Sequence, residues 1–274
     1  MGLDGCPVDL VAYNRQASAE SPVLQMNEQQ LLRFSRQIML PEMDLPGQRK
    51  LMDASVLIVG MGGLGCPAAM YLAAAGVGGL LIADDDVVEL TNLQRQIAHA
   101  QRSLGQAKVE SARSRLLSLN PDVQVTAINE RLQGASLDEA VAKADLVLDA
   151  CDNFETRFAI NASCLANRKP LISAAAIRMQ GQIAAFDATD PASPCYHCLY
   201  PQTGEVDESC ARNGVMAPLV GIIGSVQAME AIKMLTGIGR TLVGRLLLLD
   251  AATMEWRDLK LIRDPNCATC SRRQ

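Results

Sequence analysis

Residues 56–72 read VLIVGMGGLGCPAAMYL, a run of aliphatics followed at once by four glycines in six positions. No other stretch limits the possible folds so sharply. A buried parallel strand reads as an unbroken apolar run. Gly60-Met61-Gly62-Gly63-Leu64-Gly65 matches G-x-G-x-x-G in its required setting, after a strand and opening a helix. Glycine permits the tight turn and close backbone approach, and the helix N-terminus offers unpaired N–H groups to a phosphate. Asp84 follows at about the distance where an acid accepts hydrogen bonds from a ribose. By themselves the glycines leave NAD, FAD and ATP all open.

No charged residue occurs from Val56 to Ala83, a length that raises the question of a membrane span. Seven glycines and Pro67 divide it into strand, loop, helix and strand, which fits a soluble βαβ unit and no membrane association. The chain is 49% hydrophobic and 20% charged, a balance that supports a folded core rather than extended disorder. A net charge of −5 provides no broad basic field, so nucleic acid is not expected as a partner. Nine cysteines follow a start that lacks the basic-then-apolar order of an export signal, which implies a cytoplasmic chain with reduced thiols. Paired cysteines then point to metal or redox chemistry. Only His99 and His197 are present, which excludes mechanisms needing several imidazoles.

Residues 1–26 read as a flexible N-terminal extension. Asn27 is placed to cap a helix over 28–38, and a turn is expected around Pro41 and Pro46. Strands and helices then alternate as far as residue 175, predicting a parallel sheet with right-handed crossovers. Beyond it the pattern gives strands at 180–187, 244–250 and 255–262, the last two a hairpin, with a long apolar helix over 219–235. The expected fold is α/β, a Rossmann-like parallel sheet continuing into a mixed, antiparallel C-terminal part. No repeat or linker separates the halves.

Several side chains are candidates for chemistry. Arg95 and Lys108 follow the second strand on the side of its carboxyl end, where they face a ligand or serve as solvated charges. Asp152 ends the strand DLVLDA and fits either Mg²⁺ held against phosphates or the cap of the next helix. Cys195-Tyr-His-Cys198 and Cys267-Ala-Thr-Cys270 are two C-x-x-C knuckles suited to tetrahedral Zn²⁺, with redox use as the competitor. Four thiolates leave no open position for substrate, so such a zinc is structural, and His197 reads as an exposed knuckle residue. Cys210 lies in the polar stretch GEVDESCARNG, where it is either reactive or incidental. Cys6, Cys66, Cys151 and Cys164 have no partner motif and read as packing residues.

In order, RFSRQ, GMGGLGC, ADDDVVELTNLQRQ, GQAKVESA, CDNFETR, CYHC, GVMAPLVGIIGSVQAMEAIK and CATC resemble the ThiF/MoeB/HesA family, bacterial relatives of the ubiquitin-activating enzymes. The resemblance runs from residue 27 to residue 270. It implies one adenylyltransferase domain over 27–274, with a nucleotide-binding half at about 54–176 and a mixed-sheet, zinc-knuckle half at about 177–274. The implied activity is ATP-dependent adenylation of the C-terminal glycine of a small ubiquitin-like sulfur carrier ending in Gly-Gly, for molybdopterin or thiamine synthesis. Carried over by position, Gly62, Gly63, Asp84, Thr91, Asn92, Leu93, Gln94, Arg95, Lys108, Asp152 and Asn153 would contact the nucleotide. Asp152 would coordinate Mg²⁺, the four knuckle cysteines would bind structural zinc, and Arg36 would reach across a homodimer into the partner's site. Cys210 matches a position where thiamine-pathway relatives link covalently to their carrier.

The chain departs from the family where Asp149-Ala-Cys-Asp-Asn153 replaces the frequent Asp-Cys-Thr-Asp-Asn, although Asp152 is kept. The Asp84-Asp85-Asp86 run and CYHCLYP lean to the thiamine branch, while IRMQGQI and GVMAPL lean to the molybdopterin branch. The chain stops soon after its second knuckle, so sulfur is expected from a separate donor protein. Two other classes are weighed: an NAD-dependent oxidoreductase using the same glycine loop, which leaves the knuckles and Asp152 unexplained, and a catalytically silent partner subunit. An enzyme acting on a tRNA-bound carboxylate is disfavoured by the acidic balance.

Overall fold

The structure is a computed structural model, and it describes residues 26–201 and 214–271. The first helix, α1 (Glu28–Ile38), starts at a reciprocal cap. The Asn27 side chain accepts the Gln30 N–H at 2.9 Å, and the Gln30 side chain accepts the Asn27 N–H at 3.1 Å. Leu31, Phe34 and Ile38 are buried along one stripe of this helix. A turn follows at 39–43, around Pro41 as expected, and α2 (Asp44–Asp53) then takes in Pro46. Pro46 lies in its first turn, where a missing N–H removes no intrahelical bond. There the proline marks a helix start, not a break.

The βαβ unit follows as β1 (Ser55–Val59), α3 (Gly65–Ala75) and β2 (Gly79–Ala83). After it come α4 (Lys108–Leu119), β3 (Gln124–Ile128), α5 (Gly134–Lys143), β4 (Leu146–Asp149), α6 (Phe154–Ala166) and β5 (Leu171–Ile177). The C-terminal part adds β6 (Gln180–Phe186), α7 (Tyr196–Leu199), α8 (Ala217–Thr236), β7 (Arg245–Asp250) and β8 (Glu255–Lys260). All eight strands form one sheet in the order β3-β2-β1-β4-β5-β6-β7-β8. It is parallel from β3 to β5 and antiparallel from β5 to β8, the mixed sheet that the sequence predicts.

Val56, Leu57, Ile58 and Val59 of β1 are all buried because helices cover both faces of this central strand. One core, around Ile58, Leu72, Leu80 and Ile223, lies under α3, α4 and α8. The other, around Leu57, Val141, Ile160 and Phe186, lies under α5 and α6. The uncharged run at 56–83 is split between two strands and a helix, as its glycines imply. Among the described residues α8 alone is long and apolar enough to cross a membrane, and half of it is buried against the protein. It packs on α3, β5 and β6. At the open edge of the sheet, β8 is exposed along its whole length and carries Trp256, the one tryptophan of the chain.

Two glycines of α8 make its packing measurable. A Cβ at Gly224 would lie 2.4 Å from the Leu64 carbonyl oxygen, whereas one at Gly221 would meet nothing within 4 Å. Gly221→Ala is expected to stabilise the protein by about 0.5–1 kcal/mol through helix propensity. Gly224→Ala is expected to destabilise it by about 1–3 kcal/mol through overpacking. Urea unfolding of the two variants checks both signs.

Candidate nucleotide site and cysteine cluster

Pairing register brings three chain segments together at the carboxyl ends of the strands. Val59 pairs with Ala83 of β2 on one side and with Asp149 of β4 on the other. The chain therefore leaves the sheet at Gly60, Asp84 and Ala150 side by side. This is where the strand order reverses, the position at which open α/β sheets bind ligands. A cavity of 1340 Å³ opens there, and its walls include Gly62, Gly63, Asp84, Arg95, Lys108, Asp152 and Asn153.

The glycine loop forms the floor nearest β1. Gly60 has φ of +99°, and a Cβ at Gly65 would sit 1.9 Å from the Gly60 carbonyl oxygen. Gly63 packs against Val220 of α8, where a Cβ would be 2.9 Å from a methyl group. Gly62 differs, because an added Cβ would meet only the Gln96 amide, at 3.7 Å. Bare backbone there borders the cavity in a cradle that a side chain would fill, which is the fit a phosphate requires.

The Met61 peptide is held at both ends. Its N–H donates to Asp84 Oδ2 at 2.7 Å, and its carbonyl lies 3.1 Å from His99 Nε2. Cys66 Sγ donates to the same carbonyl at 3.3 Å. His99 Nδ1 is 3.0 Å from Ser111 Oγ on α4. With Nε2 donating to a carbonyl, the neutral ring accepts the Ser111 hydroxyl at Nδ1. Burial pushes His99 below its ordinary value; the Met61 carbonyl opposes that, and the Lys108 charge adds to it. Burial also pushes the Cys66 thiol up to about 12, which suits the packing role expected of it.

Lys108 opens α4, with its side chain 7% exposed. Its Nζ is 2.6 Å from Asp86 Oδ2 and 3.9 Å from Asp84 Oδ1. Burial raises Asp84 above the usual carboxylate range, while Lys108 and the N–H groups of Asp86 and Met61 pull it back. The carboxylate thus serves the loop and the ammonium at once. Arg95 NH1 donates to the Thr91 carbonyl at 3.1 Å, and its side chain lies along the cavity wall.

Asn153, not Asp152, caps α6, accepting the Thr156 N–H at 2.9 Å. Asp152 is exposed at the cavity and takes no part in that cap. Beneath it lies a buried pair to which the sequence reading assigns no role. Arg157 donates to the carbonyls of Cys151 and, at 3.0 Å, Ala174, with Nε 3.8 Å from Asp149 Oδ2. Asp149 also accepts from Ser173 Oγ at 2.5 Å and from the Cys151 N–H at 3.0 Å. Burial disfavours charge on Arg157, but Asp149, Tyr196 and Cys151 together more than offset this and hold it above its ordinary value. An arginine soon after a strand-ending aspartate was the available signal. Cys164 is buried as expected of a packing residue, whereas Cys151 is half-buried and lines the cavity.

Other sequence candidates lie outside the cavity wall. Asn92 is buried and accepts the Glu89 N–H at 3.1 Å, closing a short 3₁₀ turn. Thr91 and Gln94 are exposed and Leu93 is half-buried. Arg36 is exposed on the last turn of α1. Gln96 and His99, by contrast, are buried beside the glycine loop, and no local sequence pattern marks either. Cys210 and Cys6 lie outside the described residues.

The two knuckles meet away from the cavity. Sγ–Sγ distances are 3.9 Å for Cys195–Cys198, 3.7 Å for Cys195–Cys267 and 3.5 Å for Cys198–Cys270. All four sulfurs lie within 4.8 Å of one another. A tetrahedron with zinc–sulfur bonds of about 2.3 Å has edges of about 3.8 Å, so the donor set fits zinc. Burial, then the neighbouring sulfurs, push Cys195 up, an effect that a divalent cation reverses. His197 Nδ1 is 2.8 Å from Thr269 Oγ1, joining the knuckles by a hydrogen bond, as suits a residue that is not a ligand.

The ThiF family model matches residues 34–269. The molybdopterin-synthase adenylyltransferase of Escherichia coli (strain K12) is 50% identical over 246 residues, which are 90% of this chain and 98% of that protein. The sulfur carrier protein ThiS adenylyltransferase of the same strain is 48% identical over 246 residues, 89% of this chain and 97% of that protein. Among solved structures, E. coli MccB with ATP superposes with a TM-score of 0.76 at 22% identity, over 87% of this chain and 73% of that one. At that identity the likeness is one of fold.

Neutral His99 gives the glycine loop a pH-dependent stability. Its folded value is lowered from 6.5. The contribution is therefore complete above pH 6.5 and declines as the pH falls from there to the folded value, because the unfolded chain takes up the proton first. The slope is bounded by about 1.4 kcal/mol per pH unit for one proton. His99→Gln is expected to flatten this segment of the curve. Urea unfolding of both proteins between pH 7.5 and 5.5 measures it.

Proposed function

The chain belongs to the ThiF family, and from that premise we propose that it adenylates the C-terminal glycine of a small ubiquitin-like sulfur carrier with ATP, releasing pyrophosphate. The observation that carries this reading is the meeting of a bare glycine cradle with Arg95, Lys108 and Asp152 around one cavity. Relatives matched over nearly their whole length are adenylyltransferases for molybdopterin synthase and for the sulfur carrier ThiS. The products served are accordingly molybdopterin or thiamine.

A carboxylate oxygen of the carrier's terminal glycine attacks the α-phosphorus of ATP. The bond from that phosphorus to the bridging oxygen breaks, and pyrophosphate leaves with its electron pair. No proton moves, because the attacking acid is already ionised at neutral pH. This agrees with a site whose one nearby imidazole, His99, is held neutral in the loop brace. The difficulty is repulsion between an anion and a triphosphate, which aligned cations in a partly dehydrated cavity reduce.

In this reading Gly62 and Gly63 present backbone to the phosphates, Asp84 takes the ribose, and Arg95 and Lys108 draw charge from the phosphates. Asp152, exposed at the cavity, would hold Mg²⁺, which supplies further charge neutralisation when bound. Asn92 and Asn153 support the site through the caps they form, and Thr91, Leu93 and Gln94 shape the segment that carries Arg95. Arg36 completes the site of the other subunit in a homodimer. A cytoplasmic location suits knuckle thiols that must stay reduced for zinc. A covalent role for Cys210, and a separate sulfur donor, belong to the later transfer step.

ATP–pyrophosphate exchange is expected with at least one purified carrier ending in Gly-Gly. Lys108→Ala and Arg95→Ala should each lower kcat by about 10²–10³, with carrier binding changed far less. Exchange that persists in both variants contradicts these roles, and exchange with no carrier by folded, zinc-loaded protein contradicts the activity. Separately, metal analysis should give one zinc per chain. Its removal by a strong chelator should lower Tm by about 10 °C, as calorimetry would record.

A further inference from the structure

Of the four phenylalanines and four tyrosines in the chain, five gather in one place. Phe154, Phe158, Phe186, Tyr196 and Tyr200 make one connected set of ring contacts. Centroids are 5.5 Å apart for Phe158–Tyr196, 5.3 Å for Tyr196–Tyr200 and 5.4 Å for Phe154–Tyr200. His197 joins them against Phe158 at 5.2 Å. Aromatic rings at such separations attract one another beyond the area they bury. The set starts inside a cysteine knuckle, at Tyr196 and His197, and ends at Phe154, Phe158 and Tyr200 on the cavity wall.

The helix in the middle of this set cannot hold itself. α7 is a single turn of four residues, and an isolated turn is unstable without tertiary anchors. Cys195 is its N-cap and Cys198 lies within it, so half of the cysteine site is built on this turn. Free thiols are weak hydrogen-bonding groups and grip the turn poorly, whereas four bonds to one ion hold it firmly. Just beyond the turn, Tyr200 Oη donates to Gln182 Oε1 of β6 at 2.8 Å, and Gln182 also lines the cavity. β6 is three strand steps, about 14 Å, from the β1 end where the glycine loop begins. That loop has its own brace in Asp84 and His99.

We propose that the cysteine site controls recognition of the carrier's tail. Metal binding there fixes α7, and α7 sets Tyr200 and the Gln182 wall that an extended tail passes on its way to the α-phosphate. Tyr200 is a positioning residue, acting through Gln182. The nucleotide end of the cavity, braced separately, is indifferent to the metal. This rests on the reading of the cavity as a carrier-adenylation site and of the cysteines as a zinc site. Coupling between two binding events is reciprocal, so the carrier must tighten zinc by the same factor as zinc tightens the carrier.

The test measures zinc affinity of the full-length protein by competition with a chromogenic chelator. It is run alone, with ATP, and with a saturating amount of the purified carrier that supports ATP–pyrophosphate exchange. The carrier is expected to tighten zinc by about 5–20-fold, and ATP by less than about 2-fold. Tyr200→Leu removes the ring and the hydroxyl together, and should bring the carrier effect below about 2-fold. Gln182→Met cuts the same link from the β6 side and leaves the knuckle untouched. It should lose the carrier effect as well, with its zinc affinity in the absence of carrier unchanged.

Zinc affinity that the carrier leaves unaltered would overturn the proposal. So would an equal effect of ATP, which marks general stabilisation of the fold, or a carrier effect that survives both substitutions. Exchange with no carrier removes the reading of the cavity, and a protein that takes up no zinc removes the reading of the cysteines. Either of these results overturns the proposal too, and each is told apart from the others by its own measurement.

Discussion

Everything at the cavity follows from how closely the backbone folds upon itself between Gly60 and Gly65. The Gly60 carbonyl occupies space that any side chain at residue 65 would need. That contact fixes the start of α3 against the end of β1. Neighbouring strands then deliver Asp84 and Ala150 to the same spot through their register with Val59. Asp84 can reach the Met61 N–H only because both positions are set by this geometry. The steric constraint thus comes before the electrostatic one.

The charges that the loop gathers are matched in an economical way. Lys108 is buried beside Asp84, which also holds the loop, and reaches the exposed Asp86. Arg157 is buried with Asp149 on the other side of the strand ends. Removing one partner of such a pair costs about 3–5 kcal/mol, because the other is left as an unpaired buried charge. The site is stiff for that reason, and its stiffness is electrostatic as well as steric. His99 sits in a hydrogen-bonded brace of the loop, and His197 sits beside the cysteine cluster. Chemistry whose nucleophile arrives already ionised makes no demand on them.

What could be seen from sequence was what is encoded at short spacing. The glycine loop, Asp84 at the end of the next strand, the Asn27 cap and the C-x-x-C pairs are all local patterns. The structure brings the two cysteine pairs together as that spacing led one to expect. The hidden part depends on contacts between distant residues. His99 is 38 residues from its Met61 partner, and Arg157 is 17 from its Ala174 partner. Nothing in the local sequence around Gln96 distinguishes it from Gln94, yet one is buried at the cavity and the other exposed. Pro46 is ambiguous for a different reason: proline both begins and interrupts helices, and only the packing of α2 against α1 and α8 decides between them.

The exposed edge strand has an optical consequence. Trp256 is the one tryptophan of the chain, and it is followed directly by Arg257, which lines the cavity from β8. Trp256 is 41% exposed. Alternation along the strand sets it on the face opposite Arg257. Near-ultraviolet excitation therefore selects a single address, on the open antiparallel edge of the sheet. The molecule carries its own lamp there, and the colour of its emission reports how wet that edge is.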